Sequence, residues 1–124
     1  MLYQIRLELA RTTEHPEGSP EHGYEFVAPL NGDGLLDPDN WRDHRKKCVV
    51  RRYSPGEPDE HGHLVHTQGR QWAFHYDLDN EPEPDESGFK FSSHKFTEGE
   101  YVSITEHDGE RRPFRVARSR PAKI

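Results

Sequence analysis

Nine histidines stand among the 124 residues, and three of them fall within one hexapeptide, HGHLVH at 61–66. Alternate residues of a strand share a face, so His61 and His63 lie together while His66 points the other way. If this segment pairs as a hairpin with QWAFHYD (71–77), the register that sets Leu64 opposite Phe74 also sets His63 across from His75. Imidazole nitrogens, with a carboxylate such as Glu60 nearby, are zinc ligands, which makes His61, His63 and His75 the candidate metal set. The spacing is neither HExxH nor paired CxxC. The competing reading is a row of solvated histidines on the polar face of a hairpin.

Arginine is the second group with chemistry to offer. Basic residues gather at Arg45–Lys47, at Arg51 and Arg52, and along Arg111, Arg112, Arg115, Arg118 and Arg120, the last set beside Phe114 and Tyr101. A local basic face binds phosphates even on an acidic protein, and Arg51, Arg52, Arg112 and Arg115 are the candidate contacts to a nucleic acid or nucleotide. Against this, the same arginines have many carboxylates on neighbouring strands to pair with. The pattern GEYVSI, then DG, then FRV (99–116) resembles the closing hairpin of small RNA-associated β-barrels, a resemblance that covers under twenty residues.

Signals for catalysis are poor. There is no G-x-S-x-G elbow, P-loop or dinucleotide glycine pattern. Ser103 and His107 would be set apart along a strand and its turn. Cys48 follows Lys47, whose charge favours a thiolate, but a lone cysteine between a helix and a strand more often packs as a small hydrophobe. The acidic stretch 77–87 begins like a calcium loop at Asp77 and Asp79, then places Pro82 where the obligatory Gly belongs and Gly88 where the bidentate Glu belongs. It reads as a mobile acidic loop.

The elements that would carry these residues follow from periodicity. Residues 2–10 alternate, with Tyr3, Ile5, Leu7 and Leu9 on one face. Segment 12–23 is polar and rich in Pro and Gly and reads as a loop, followed by a strand at 23–29. Asp37 as N-cap, Pro38 at the first helical position and Trp41 one turn on predict a short helix over 37–47. Strands follow at 48–53, 63–67, 71–77, 88–91, 100–106 and 111–117, with 54–62 as a loop. In the last hairpin an odd loop at Asp108–Gly109 would pair Ile104 with Phe114 and Val102 with Val116. Pro113 marks 111–117 as an edge strand or a bulged one, and a protected edge favours a monomer.

Composition bounds the rest. A net charge of −6 argues against a broad nucleic-acid surface. Only 30% of residues are hydrophobic, so thirteen aromatics (two Trp, five Tyr, six Phe) must supply much of a thin core. One cysteine excludes an internal disulfide. The N-terminus lacks the pattern of a signal peptide, and no apolar run approaches the ~18 residues of a membrane span. The expectation is one soluble cytoplasmic domain over 1–118 with a flexible tail at 119–124.

Together these features predict a mainly β fold: a small antiparallel, partly open barrel or curved sheet of about seven short strands with one short helix. An α+β sheet with the helix on one face is the alternative. The function that fits is a non-catalytic binding module for a protein or small-molecule partner, using the aromatic hairpin around Trp72, Phe74 and Tyr76. A zinc protein built on the histidines and a nucleic-acid binder built on the arginines are the other two readings. The segments EHGYEFVAPL (21–30), WAFHYD (72–77), GFKF (88–91) and GEYVSI (99–104) together resemble a small bacterial protein family of uncharacterised activity. That resemblance implies compact intracellular β structure and no particular chemistry.

Overall fold

A computed structural model of the chain describes residues 2–66, 72–76, 86–89, 95–106 and 108–122, the stretch 86–89 by its backbone alone. Eight strands are described: β1 (Leu2–Leu9), β2 (Ser19–Pro29), β3 (Val49–Ser54), β4 (Glu57–His66), β5 (Trp72–Tyr76), β6 (Glu86–Phe89), β7 (Tyr101–Thr105) and β8 (Arg111–Pro121). A helix α1 (Pro38–His44), extended by a 3-10 turn at Arg45–Lys47, links β2 to β3. Each strand pairs antiparallel with the next, and β1 also pairs with β8, so the mainly β sheet curls into a closed barrel. The ring is thinnest at β6, where two residue pairs join it to β5 and three to β7.

The barrel forms because apolar residues alternate along its strands and face inwards. Ile5, Leu7 and Leu9 of β1, Tyr24 and Phe26 of β2, Leu64 of β4, Phe74 of β5, Ile104 of β7 and Phe114 and Val116 of β8 are all buried. Aromatic rings fill the lumen: Tyr24 packs on Phe74 and Phe114 with centroids 5.2 and 5.1 Å apart, and Phe26 lies 5.1 Å from Phe74 and 5.8 Å from Phe96. The interior is therefore core and not a ligand chamber, as expected when eight strands enclose a space just wide enough for side chains. Helix α1 closes one mouth. Asp37 caps it by accepting from the N–H groups of Asp39 and Asn40, and the Trp41 indole N–H donates to the Leu64 carbonyl at 2.9 Å while its ring meets Trp72 edge-on.

Several sequence expectations are corrected. Segment 57–62 is strand, not loop: a turn with Gly56 at φ 75° reverses the chain, and β4 starts at Glu57. Its outer residues are charged, so no apolar alternation announced it. β2 likewise begins at Ser19. The hairpin of β4 and β5 has the predicted register, Leu64 opposite Phe74 and His63 opposite His75. The last hairpin is displaced by two residues, with Val102 opposite Phe114 and Ile104 opposite Arg112. Its loop is closed by Glu106 and Gly109 donating to the Glu110 and Glu106 carbonyls respectively, with Gly109 at φ 82°, so a left-handed glycine sets the register. A shift of two leaves every side chain on its predicted face. β8 is not an edge: Pro113 sits where β1 ends, its carbonyl accepting from Ala10. Residues 119–121, expected as a flexible tail, pair with β1. The turn at 68–69, the acidic stretch 77–85 and His107 lie outside the described residues.

Phe74 contacts rings on two sides of a filled lumen, so Phe74→Ala should cost about 3–5 kcal/mol of unfolding free energy. Urea denaturation followed by tryptophan fluorescence measures it; a loss below ~1 kcal/mol would mean the lumen is loosely packed.

Candidate functional site

The three groups of residues nominated from the sequence meet different fates. Trp72, Phe74 and Tyr76 face the lumen and are buried, so they form core and not a docking surface. The alternation on β5 that made them look like one exposed face is the alternation that turns them inwards. His63 and His75 stand opposite one another as expected, and His61 lies opposite Arg51 of β3. Among the described residues no group of three or more His, Cys, Asp or Glu side chains converges on a metal position. Cys48 is fully buried, and burial pushes its thiol up to about 11, so it is no nucleophile near neutral pH.

Three of the four nominated arginines are occupied by carboxylates. Arg51 bonds Glu25 at 2.7 Å and Asp59 at 2.8 Å. The guanidinium groups of Arg51 and Arg6, which share Glu25, both lie within 5.0 Å of the Tyr53 ring centroid, and that ring covers the side-chain-free Gly23 of the neighbouring strand. Arg52 and Arg112 turn to the mouth of the barrel opposite α1, where they meet Glu106. This carboxylate is almost fully buried and takes Arg52 through Nε (3.1 Å) and Nη2 (3.0 Å), Arg112 Nη1 (3.0 Å), the Tyr24 hydroxyl (2.6 Å) and His22 Nε2 (3.0 Å). Arg112 continues to Asp108 at 2.8 Å and Glu110 at 3.0 Å. Burial by itself would push Glu106 up; the hydrogen bonds from His22 and Tyr24 and the charge of Arg52 outweigh it and hold the carboxyl at about 2. The mouth is thus sealed by an ion cluster centred on Glu106, whose arginines are occupied by carboxylates: Arg112 also by Asp108 and Glu110, Arg52 also by Glu60. Sequence reasoning missed Glu106 and His22, because a glutamate beside a turn and a histidine in a polar stretch both read as solvated.

A different surface remains open. β8 and β1 are out of step by one residue near Arg6: Leu7 pairs with Val116 and Arg6 with Arg118, leaving Ala117 as a bulge. Before the bulge the odd residue Arg115 points outwards; after it, the even residues Arg118 and Arg120 do, while Val116 and Ser119 turn in. One extra residue therefore collects Arg115, Arg118 and Arg120 on a single outer face. Among the described residues none of the three has a carboxylate partner. Tyr101 of β7 stands directly opposite Arg115 and is 58% exposed. Tyr101, Arg115 and Arg11 line an open cleft of about 530 Å³, and Arg6, Arg118 and Arg120 line a second of about 260 Å³ further along the same face. Two carboxylates, Glu8 and Glu17, also line the first cleft, and Glu8 is taken by Arg6.

Because Glu106 is depressed from its ordinary 4.5 to about 2, the stability it contributes is complete above pH ~4.5 and is lost as pH falls through about 2. Urea unfolding at stepped pH should show the parent losing on the order of 3 kcal/mol across that window, and Glu106→Gln should be less stable near neutral pH with a flatter acid limb. Asp108, held at about 2 mainly by Arg112, leaves a residual slope of the same sign. Parallel acid limbs in the two proteins would show that Glu106 is not held as its contacts imply.

Among the described residues no helix is long and apolar enough to cross a membrane. No family model matches the chain, and no curated protein or solved structure matches it.

Proposed function

We propose that this protein is a non-catalytic binding module that takes an anionic ligand on the outer face of β7, β8 and β1. The observation that carries this reading is the row Arg115, Arg118 and Arg120, three outward guanidinium groups without a carboxylate partner among the described residues, on a chain with 23 acidic residues. Elsewhere Arg6, Arg51, Arg52 and Arg112 are all paired. Arg118 stands opposite Arg6, whose own charge is taken by Glu8 and Glu25. Polyvalent anions gain from such a row because they displace several counterions at once, so affinity is strongest at low salt. The filled lumen leaves the outer wall as the surface on which a ligand can be taken.

Two outcomes follow. Inorganic polyphosphate should bind the parent in isothermal titration, and the triple variant Arg115→Glu, Arg118→Glu, Arg120→Glu should lose that binding. A control of equal charge change, Arg45→Glu, Lys46→Glu, Lys47→Glu, alters exposed residues after α1 and should retain it. Equal loss in both variants would reduce the effect to net charge and contradict the assignment. Secondly, because Arg118 holds no carboxylate among the described residues, Arg118→Glu should change unfolding stability by less than about 0.5 kcal/mol. Thermal denaturation reads it, and a larger destabilisation would mean Arg118 has another role in the fold.

A further inference from the structure

We infer that the anionic ligand is a single-stranded nucleic acid, with Tyr101 as a platform on which a base stacks and Arg115, Arg118 and Arg120 following the phosphates. This rests on the preceding assignment of the outer β8 face. Two observations select nucleic acid over an acidic protein. Among the described residues the large hydrophobic side chains left exposed are Tyr101 and Val49, at 58% and 47%, and they lie on strands that are not neighbours in the ring. A protein interface draws its affinity from a contiguous apolar centre with a polar rim, which this face lacks. What it offers is one isolated aromatic ring flanked by guanidinium groups, the combination that binds unpaired bases and their backbone.

The geometry also favours a single strand over a duplex. Arg115 to Arg120 runs along one β-strand, roughly 16 Å at about 3.3 Å per residue, with Tyr101 on β7 beside its Arg115 end. A chain with splayed bases can lay a base on Tyr101 and carry its backbone past Arg118 towards Arg120. A duplex keeps its bases stacked and paired, out of reach of a ring standing on a sheet. Of the two carboxylates lining the first cleft, Glu8 is neutralised by Arg6, while Glu17 faces the cations Arg11 and Arg115 across it. The bulge at Ala117 is what lines the cations up on this path.

Fluorescence anisotropy with labelled oligo(dT) and oligo(U) of about 12 nucleotides tests the inference, with a duplex of equal length and polyphosphate alongside. The single strands should bind more tightly than the duplex, and three phosphate contacts predict a loss of roughly 20-fold in affinity between about 50 and 200 mM salt. Tyr101→Ala should weaken the oligonucleotides roughly 5- to 150-fold while leaving polyphosphate unchanged, and Tyr101→Phe should restore oligonucleotide affinity. Circular dichroism confirms that each variant is folded. If Tyr101→Ala leaves oligonucleotide affinity unchanged, or the duplex binds as tightly as the single strand, the nucleic-acid inference fails while polyphosphate binding can still uphold the anionic face. If neither polyphosphate nor oligonucleotide binds, both fail.

Discussion

The pairing of β1 with β8 is the constraint on which the rest of this structure depends. It closes the sheet and so removes the exposed edges that a curved antiparallel sheet would present. It also brings the two chain ends together, with β8 extended to Pro121. Most consequentially, it contains the bulge at Ala117. In uninterrupted alternation Arg115 would face opposite to Arg118 and Arg120; with one extra residue all three face outwards while Val116 and Ser119 turn towards the lumen. The same irregularity therefore serves the core and the outer surface.

Polar groups divide between two tasks. At the mouth opposite α1, Arg52, Arg112, His22 and Tyr24 all serve Glu106, and none of these groups is spare. Such a cluster stabilises only as a set, since removing one partner leaves the others charged or polar in a buried place. On the outer wall Arg6 and Arg51 hold Glu8, Glu25 and Asp59 and both pack on the Tyr53 ring. The arginines of β8 beyond Arg112 are arranged differently: they are exposed, on one face and next to a bare aromatic ring. Function is best sought where cations have no carboxylate partner among the described residues of an acidic chain.

Much of the barrel was legible in the sequence because its inner wall is written in period two. Ile5, Leu7 and Leu9, or Tyr24 and Phe26, leave little choice of face, and Leu64 against Phe74 gave the β4–β5 register correctly. What escaped was held by other forces. The first half of β4 is fixed by main-chain pairing and by Asp59 and Glu60 reaching Arg51 and Arg52, which hydrophobic pattern does not encode. The register of β7 and β8 followed from the conformation of Gly109, and closure from a long-range pairing that local patterns do not reveal. For the site, the arginine run and Tyr101 were visible, but not which arginines were free. That required knowing where the carboxylates fall across strands and that Ala117 is a bulge. The histidines show the reverse: spacing and register were right, yet among the described residues no three metal-ligating side chains converge.

The measurement that bears most directly on this account is amide chemical-shift mapping by NMR during titration with a short oligo(dT). The account predicts that the largest changes fall on Tyr101, Arg115, Arg118 and Arg120 and on the neighbouring residues of β1, with α1 and the Glu106 mouth unmoved. Changes centred instead on Arg45–Val49 or on His22 and Arg112, or an absence of changes at saturating oligonucleotide, would contradict it.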